Sequence, residues 1–369
     1  MSSNIIIREY RDNDELQIVE LLNEVFHGWP RLDVPVPPLE FWKWKYQDNP
    51  YKPNIITVSE EQGRIIGVNH SFGMRIKIGN HIVKSNYAAD TAVSKEHQGK
   101  GISRDLIKLH LQIRDKERIK FTYFITRNPY LIKMNKKTYP VFPFTINNLV
   151  KIQDIGKQLT AMPIKNELLL KTGFQLLKLK NHISNSFQKS PPNTLTVTRI
   201  DEFKDDFIPF WNQVSKSNNF IVEKNPHYMN WRYCDPRTGK YIVETVKENE
   251  QLIGYSVLRI NSANPHYPIG YIVDLIALPK RLDAIEALAI NALNYFNENK
   301  VNIINYQIVN GHPYEKVMNK LGFIDSRIKA ALFYVPTDID ENINILQNST
   351  PDQIHFSYGA LDTLPIGLS

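Results

Sequence analysis

Residues 87–107 read YAADTAVSKEHQGKGISRDLI. An apolar strand, Tyr87 to Val93, runs into the polar turn Gln98-Gly99-Lys100-Gly101-Ile102-Ser103. A helix follows at once, with Ile102, Leu106, Leu109 and Ile113 at helical spacing. Strand, glycine-bearing turn and helix in that order make an anion site. The first N–H groups of a helix lack internal partners and sit at the positive end of its dipole. Glycine lets a phosphate approach that backbone closely.

Outward from this stretch, Ile5–Ile7 reads as a short strand. Asp12–His27 reads as a helix with Leu16, Val19, Leu22 and Phe26 on one face, capped by Asp12 or Asn13. Four prolines make Pro30 to Pro38 irregular. Leu39–Tyr46 is a short aromatic helix closed by Asp48-Asn49-Pro50. Strands follow at Asn54–Ser59 and Arg64–Ile78, and Gly79-Asn80 turns into His81–Val93. After the Ile102–Arg118 helix come a strand at Phe121–Thr126, a helix at Tyr130–Thr138 and a strand at Phe144–Ile152. Leu159–Phe187 is basic, leucine-rich and helical in pattern, and Ser190-Pro191-Pro192-Asn193 ends it.

The second half repeats the first. Phe41-Trp42-Lys43-Trp44-Lys45-Tyr46 recurs 187 residues on as Tyr228-Met229-Asn230-Trp231-Arg232-Tyr233. Tyr87 and Asp90 recur 184 residues on as Tyr271 and Asp274, and Pro129-Tyr130 recurs at that spacing as Pro313-Tyr314. The copies differ at the anion turn. In place of Gln98–Ser103 the second has Pro279-Lys280-Arg281-Leu282-Asp283-Ala284, without glycine.

The chain has 369 residues, more than one core usually serves, so two domains are expected. Hydrophobic residues are 42% and charged residues 22%, as in a water-soluble globular protein. No apolar run is long enough to span a bilayer, and the N-terminus lacks a signal-peptide pattern. Cys234, the single cysteine, excludes an internal disulfide framework, and the ten histidines show no metal-ligand spacing. A cytoplasmic protein with no metal is the expectation. The net charge of +7 favours anionic ligands, but the basic residues match no nucleic-acid motif.

Gln-x-x-Gly-x-small after a valine-ended strand resembles the acyl-CoA loop of the GCN5-related N-acetyltransferases, the GNAT family, with Ser103 where Gly or Ala is usual. The element order and the repeat extend the resemblance over nearly the whole chain. It implies an α/β fold of two tandem GNAT domains, each a mixed, mostly antiparallel sheet flanked by helices. Residues 1–155 would be the N-terminal domain with the acyl-CoA site, 156–192 a basic helical linker, and 193–369 a degenerate second GNAT domain.

The resemblance also implies roles. The backbone of Thr91, Ala92 and Val93 would bond the pantetheine arm in a gap between the fourth and fifth strands. The N–H groups of Gln98, Gly99, Lys100, Gly101, Ile102 and Ser103 would hold the pyrophosphate, and Asn128 would reach the pantetheine or acyl carbonyl. The amine acceptor needs a base. Asp90 is the first candidate, with a hydrogen-bonded structural carboxylate as the rival reading, and the retention of its copy Asp274 fits a structural carboxylate as well as a base. The usual acid tyrosine falls near Met134 or Asn135, leaving Tyr139, and less so Tyr130, to protonate the thiolate. Trp29, Arg31 and Asp33 in the proline-rich loop are candidates for acceptor contact. Trp44 and Trp231 read as core.

The function implied is an acetyl-CoA-dependent N-acyltransferase acting on a small amine by direct attack on the thioester. No nucleic-acid or membrane partner is expected, and the chain would be a monomer or homodimer. Alternatives are a CoA- or peptide-binding module without turnover, or a larger acceptor, as tandem resemblance to mycothiol synthase implies. Similarity to N-myristoyltransferases would make the chain-terminal carboxylate at Ser369 a base. Fem-type aminoacyl transfer would not need the Gln98–Ser103 turn.

Overall fold

The computed structural model describes residues 5–154, 156–158, 194–335 and 341–362. The linker expected at 156–192 and the terminal Ser369 therefore lie outside the described residues, apart from 156–158.

The first half contains β1 (Ile6–Glu9), α1 (Glu15–Phe26), α2 (Pro38–Trp42), β2 (Ile55–Glu61), β3 (Arg64–Ile78), β4 (His81–Val93), α3 (Ile102–Lys116), β5 (Phe121–Thr126), α4 (Pro129–Asn135) and β6 (Ile146–Ile152). The second contains β7 (Leu195–Ile200), α5 (Phe207–Ser217), β8 (Phe220–Val222), α6 (Pro226–Tyr233), β9 (Tyr241–Glu248), β10 (Gln251–Asn261) and β11 (Ile269–Ala277). It continues with α7 (Leu282–Glu298), β12 (Ile303–Val309), α8 (Tyr314–Lys320), β13 (Ile324–Val335) and α9 (Glu341–Gln347). The repeat is therefore structural: β9 to β13 follow the order of β2 to β6, with α7 and α8 in the places of α3 and α4.

Two local readings change. Helix α1 begins after Asp14, not at a cap from Asp12 or Asn13, and the Asp14 carboxylate is held by Arg8 at 2.6 and 2.9 Å. Helix α4 ends at Asn135, short of Thr138.

The two sheets are joined edge to edge in the order β1-β2-β3-β4-β5-β13-β6-β12-β11-β10-β9-β7, with β8 pairing β3. Neighbours are antiparallel except β4 with β5 and β11 with β12. The halves exchange their closing strands. β13 lies beside β5, with Tyr334 opposite Tyr123, while β6 lies beside β12, with Tyr306 opposite Leu149. One aromatic core runs through both halves, from Trp42, Trp44 and Phe72 to Trp231, Tyr255 and Tyr358. A second core lies under α7. No described helix is long and apolar enough to cross a membrane.

Candidate active site

The site forms where β4 leaves β5. Their parallel pairing ends at Tyr87 opposite Tyr123, six residues before β4 ends. The cause is a bulge in β4. Val68 and His70 on β3 face Ala92 and Ala89, so β4 carries one extra residue there. Asp90 takes a positive φ of 33°. His70 fixes this kink. The Trp42 indole N–H donates to His70 Nε2 at 3.1 Å, so the imidazole proton is on Nδ1, which donates to the Asp90 carbonyl at 2.8 Å. Burial pushes the His70 pKa down to about 4, so the ring is neutral near pH 7. With both nitrogens engaged, it takes no proton from a substrate.

The Asp90 side chain points inward. Its Oδ2 accepts from Lys45 Nζ at 2.6 Å and from the Tyr46 hydroxyl at 2.5 Å. Lys45 also donates to Asp362 at 2.6 Å. A π turn over Lys43–Gln47 places Trp44, Lys45 and Tyr46 consecutively in the interior, and Trp29 lies 5.9 Å from the Lys45 ammonium. Burial pushes the Asp90 carboxyl upward, but Lys45 and its hydrogen bonds outweigh this and hold it below the usual carboxylate range. One lysine thus faces two carboxylates, Asp90 at 15% and Asp362 at 11% side-chain exposure, and the cluster keeps net negative charge. Lys45 and Asp362 are the residues that sequence reasoning did not bring to the site.

The second half builds a closed version. Asp274, fully buried, accepts from Lys224 at 2.5 Å, Tyr255 at 2.6 Å, His355 at 2.8 Å and Ser357 at 2.9 Å. Both its oxygens are filled, whereas Asp90 receives its side-chain donors on Oδ2 alone.

At the other end of the cleft, Gly99 and Gly101 adopt φ of 78° and 83°, the left-handed region that favours glycine. Gly101 caps α3. Among the described residues the N–H groups of Gly99 to Arg104 meet no acceptor, and Lys100 and Ser103 are exposed. Thr91 is exposed and donates to Asn69 at 2.8 Å, while Ala92 and Val93 are buried. Gln98 folds back, its Nε2 donating to the Val93 carbonyl at 3.1 Å.

The other expected residues separate. Asn128 Oδ1 caps α4, accepting from the N–H groups of Tyr130 and Leu131 at 2.9 and 3.3 Å. Tyr139 lies edge-on to Phe124 of β5, 5.3 Å away, and Tyr130 is 69% exposed. Trp29 is buried beside the Lys45 cluster. Arg31 donates to the Phe26 carbonyl that ends α1, at 2.7 Å. Asp33 is turned to the second half, accepting from Arg259 at 3.1 Å and from the Ser262 N–H at 2.9 Å. Among the described residues no cluster of three or more His, Cys, Asp or Glu is placed to hold a metal ion.

A mixed sheet flanked by helices, with two strands splayed ahead of a glycine turn, is the fold of the GNAT acyltransferases. Residues 6–131 match the family model of the acetyltransferase (GNAT) domain, so the first half contains a GNAT domain, and the second half repeats its order of strands and helices. Similar solved structures include a probable N-acyltransferase from Enterococcus faecalis V583, at 11% identity and TM-score 0.60, covering 89% of this chain and 72% of that one. A GCN5-related N-acetyltransferase from Anabaena variabilis gives 12% identity and TM-score 0.60 over 89% and 72%. Saccharomyces cerevisiae N-myristoyltransferase with bound myristoyl-CoA and inhibitors gives 13% and 0.60 over 99% and 87%. At these identities they show the shared fold. No curated protein matches the chain.

Proposed function

We propose that this chain is an acetyl-CoA-dependent N-acyltransferase with one working site, in the first half, acting on a small primary amine. The observation that carries this reading is the difference between the copies. The first half keeps the glycine turn with its unpaired N–H groups and a carboxylate with an open oxygen. At the matching positions of the second half the turn has no glycine, and Asp274 has both oxygens filled.

The N–H groups of Gly99 to Ser103 bind the pyrophosphate of CoA at the N-terminus of α3. The backbone of Thr91 to Val93 lines the pantetheine arm, the Gln98 side chain giving up the Val93 carbonyl. The net negative charge of Asp90, Asp362 and Lys45 draws an ammonium into the cleft. Asp90 Oδ1 accepts its proton directly or through water. The free amine attacks the thioester carbonyl, a C–N bond forms, and a β4 backbone N–H stabilises the oxyanion. The C–S bond then breaks, and the thiolate takes a proton from Tyr139 or from water.

A longer acyl chain is the second reading. Tyr130, Leu131 and Met134 of α4, which starts just beyond the splayed end of β5, are 69%, 45% and 47% exposed and offer apolar surface for it. The test is incubation with acetyl-CoA and with longer acyl-CoAs against a panel of small amines, following free thiol. Amine-dependent thiol release with acetyl-CoA is the expected result. Release with long acyl-CoAs alone selects the second reading. CoA binding without release for any amine overturns the enzyme and leaves a binding module.

A further inference from the structure

The second half holds a cavity of about 400 Å³ where β11 runs into α7. Its place matches that of the acyl-CoA cleft in the first half: the end of β11, the Pro279–Lys280 turn, the start of α7 and the segment after β12. It is closed to a CoA thioester. The turn has no glycine, and Asp283 brings negative charge to the first turn of α7. The Tyr314 hydroxyl accepts the Ala277 N–H at 3.2 Å, on the strand end that corresponds to Val93.

What remains is a shorter pocket with an unusual polar floor. His312 is 7% exposed. Its Nδ1 accepts the Tyr314 N–H at 3.2 Å, so the proton is on Nε2, which meets no acceptor among the described residues. The Tyr314 hydroxyl already accepts from Ala277, and its own proton likewise meets no acceptor there. Burial pushes the His312 pKa down to about 3, so the ring is neutral near pH 7 and Nε2–H stays a donor. Ile276, Leu278, Leu282 and Pro313 give an apolar wall, Asn218 and His355 line the polar side, and Lys280 and Asp352 are exposed lining residues of opposite charge. His312 is buried and Tyr314 partly buried, and both side chains line the cavity, so their donors are open to a ligand oxygen. The volume is at the small end of ligand pockets, which span about 300–1,000 Å³.

We propose that this cleft binds a small acyl compound, a carboxylate or carboxamide with a short hydrocarbon tail, whose oxygen is taken by His312 Nε2–H and the Tyr314 hydroxyl. The tail lies on Ile276, Leu278 and Pro313. The site is independent of the acyl-transfer cleft and stands whether or not the first half turns over.

The probes are butyrate, butyramide and, as a control, butylamine, each added to the full chain. Proton–carbon correlation spectra follow the histidine ring signals, with the His312 signal assigned by its loss in His312→Gln. The expected result is a saturable shift of that signal with butyrate or butyramide in the millimolar range, and none with butylamine. Tyr314→Phe weakens it by up to about tenfold, the loss of one hydrogen bond. A signal unmoved by both acyl probes, moved equally by butylamine, or unaffected by Tyr314→Phe overturns the proposal. A crystal of the unmodified protein soaked in bromobutyrate covers the case in which the variants fail to fold. Anomalous bromine density between Leu278 and Pro313 supports the site, and its absence overturns it.

Discussion

Trp44 and Trp231 stack with ring centroids 4.8 Å apart and planes inclined by 18°. Each indole N–H donates to the other's backbone carbonyl, at 3.0 and 3.3 Å. The repeat that relates the halves carries each tryptophan onto the other, so a pseudo-twofold axis passes between the rings. A residue on such an axis meets its own copy, and two flat indoles solve that contact by stacking.

Replacing either tryptophan with alanine is expected to lower stability by about 3–5 kcal/mol, as for large buried aromatics. The double variant is expected to lose less than the sum, because the two side chains are one contact. Urea unfolding of the three variants measures both; strict additivity would show that the stack is incidental.

Gly101→Trp is expected to abolish CoA affinity in titration calorimetry. Gly101 sits at φ 83°, which costs an L-residue roughly 1–2 kcal/mol, and its side-chain position meets only the flexible end of Arg104 at 2.9 Å. The fold therefore survives while the anion turn is blocked. Unchanged CoA affinity in a folded variant would sink the assignment of the turn.

Lys45→Met is expected to cost about 3–5 kcal/mol near neutral pH, since it leaves Asp90 and Asp362 facing each other without a cation. The pH dependence separates charge from packing. In the native chain the Asp90 carboxyl is depressed, so its contribution is present above the usual carboxylate range and is lost on acidification through the lower folded value. In the variant the carboxylates repel, and acidification relieves them. The stability gap should narrow as the pH falls, and a gap independent of pH would point to packing alone.

Stability of the native protein is also expected to fall between pH 6.5 and 4 because of His70. Its folded value of about 4 lies below the ordinary 6.5, so in that window the unfolded chain binds a proton that the folded chain refuses. At 1.36 kcal/mol per unit this one ring contributes on the order of 3 kcal/mol. His110, pushed down to about 4 by burial and by Arg114, acts in the same direction. Melting temperature against pH, compared between the native chain and His70→Gln, is the measurement, and the variant's curve should be flatter.

The elements were legible because their signals are local. Hairpin turns, the apolar period of α3 and the glycines before it are read within a few residues of where they act, and the repeat made the second half readable from the first. The turn before α3 was legible for the same reason, its glycines taking the positive φ that the sequence suggests. Its other end is assembled from afar. Asp362 reaches Lys45 across 317 residues, and no local pattern announces that meeting. Lys45 did leave a trace, as a cation three and four residues from the aromatic pair Trp42 and Phe41, on the face that had to be buried. Asn128 left a plainer one, since Asn-Pro ahead of an apolar run is a helix start, which its capping of α4 reflects. The direction of Asp90 depends on a one-residue bulge, and alternation along a strand says nothing once a bulge intervenes. The proline-rich loop gave no hint that Asp33 would find Arg259.

The exchanged closing strands set an order of assembly during synthesis. When a ribosome has completed Ile152, β5 still lacks its neighbour β13, and β6 lacks β12. At about 5–20 residues per second the chain grows for on the order of ten to thirty seconds before Ile324 emerges. In that interval β5 has one bare edge and β6 lacks both of its neighbours, β13 and β12, and each bare edge is a template for pairing with another chain. The protein cannot mature one half at a time: the cleft between β4 and β5 gains its finished wall only after nearly all of the second half has been made.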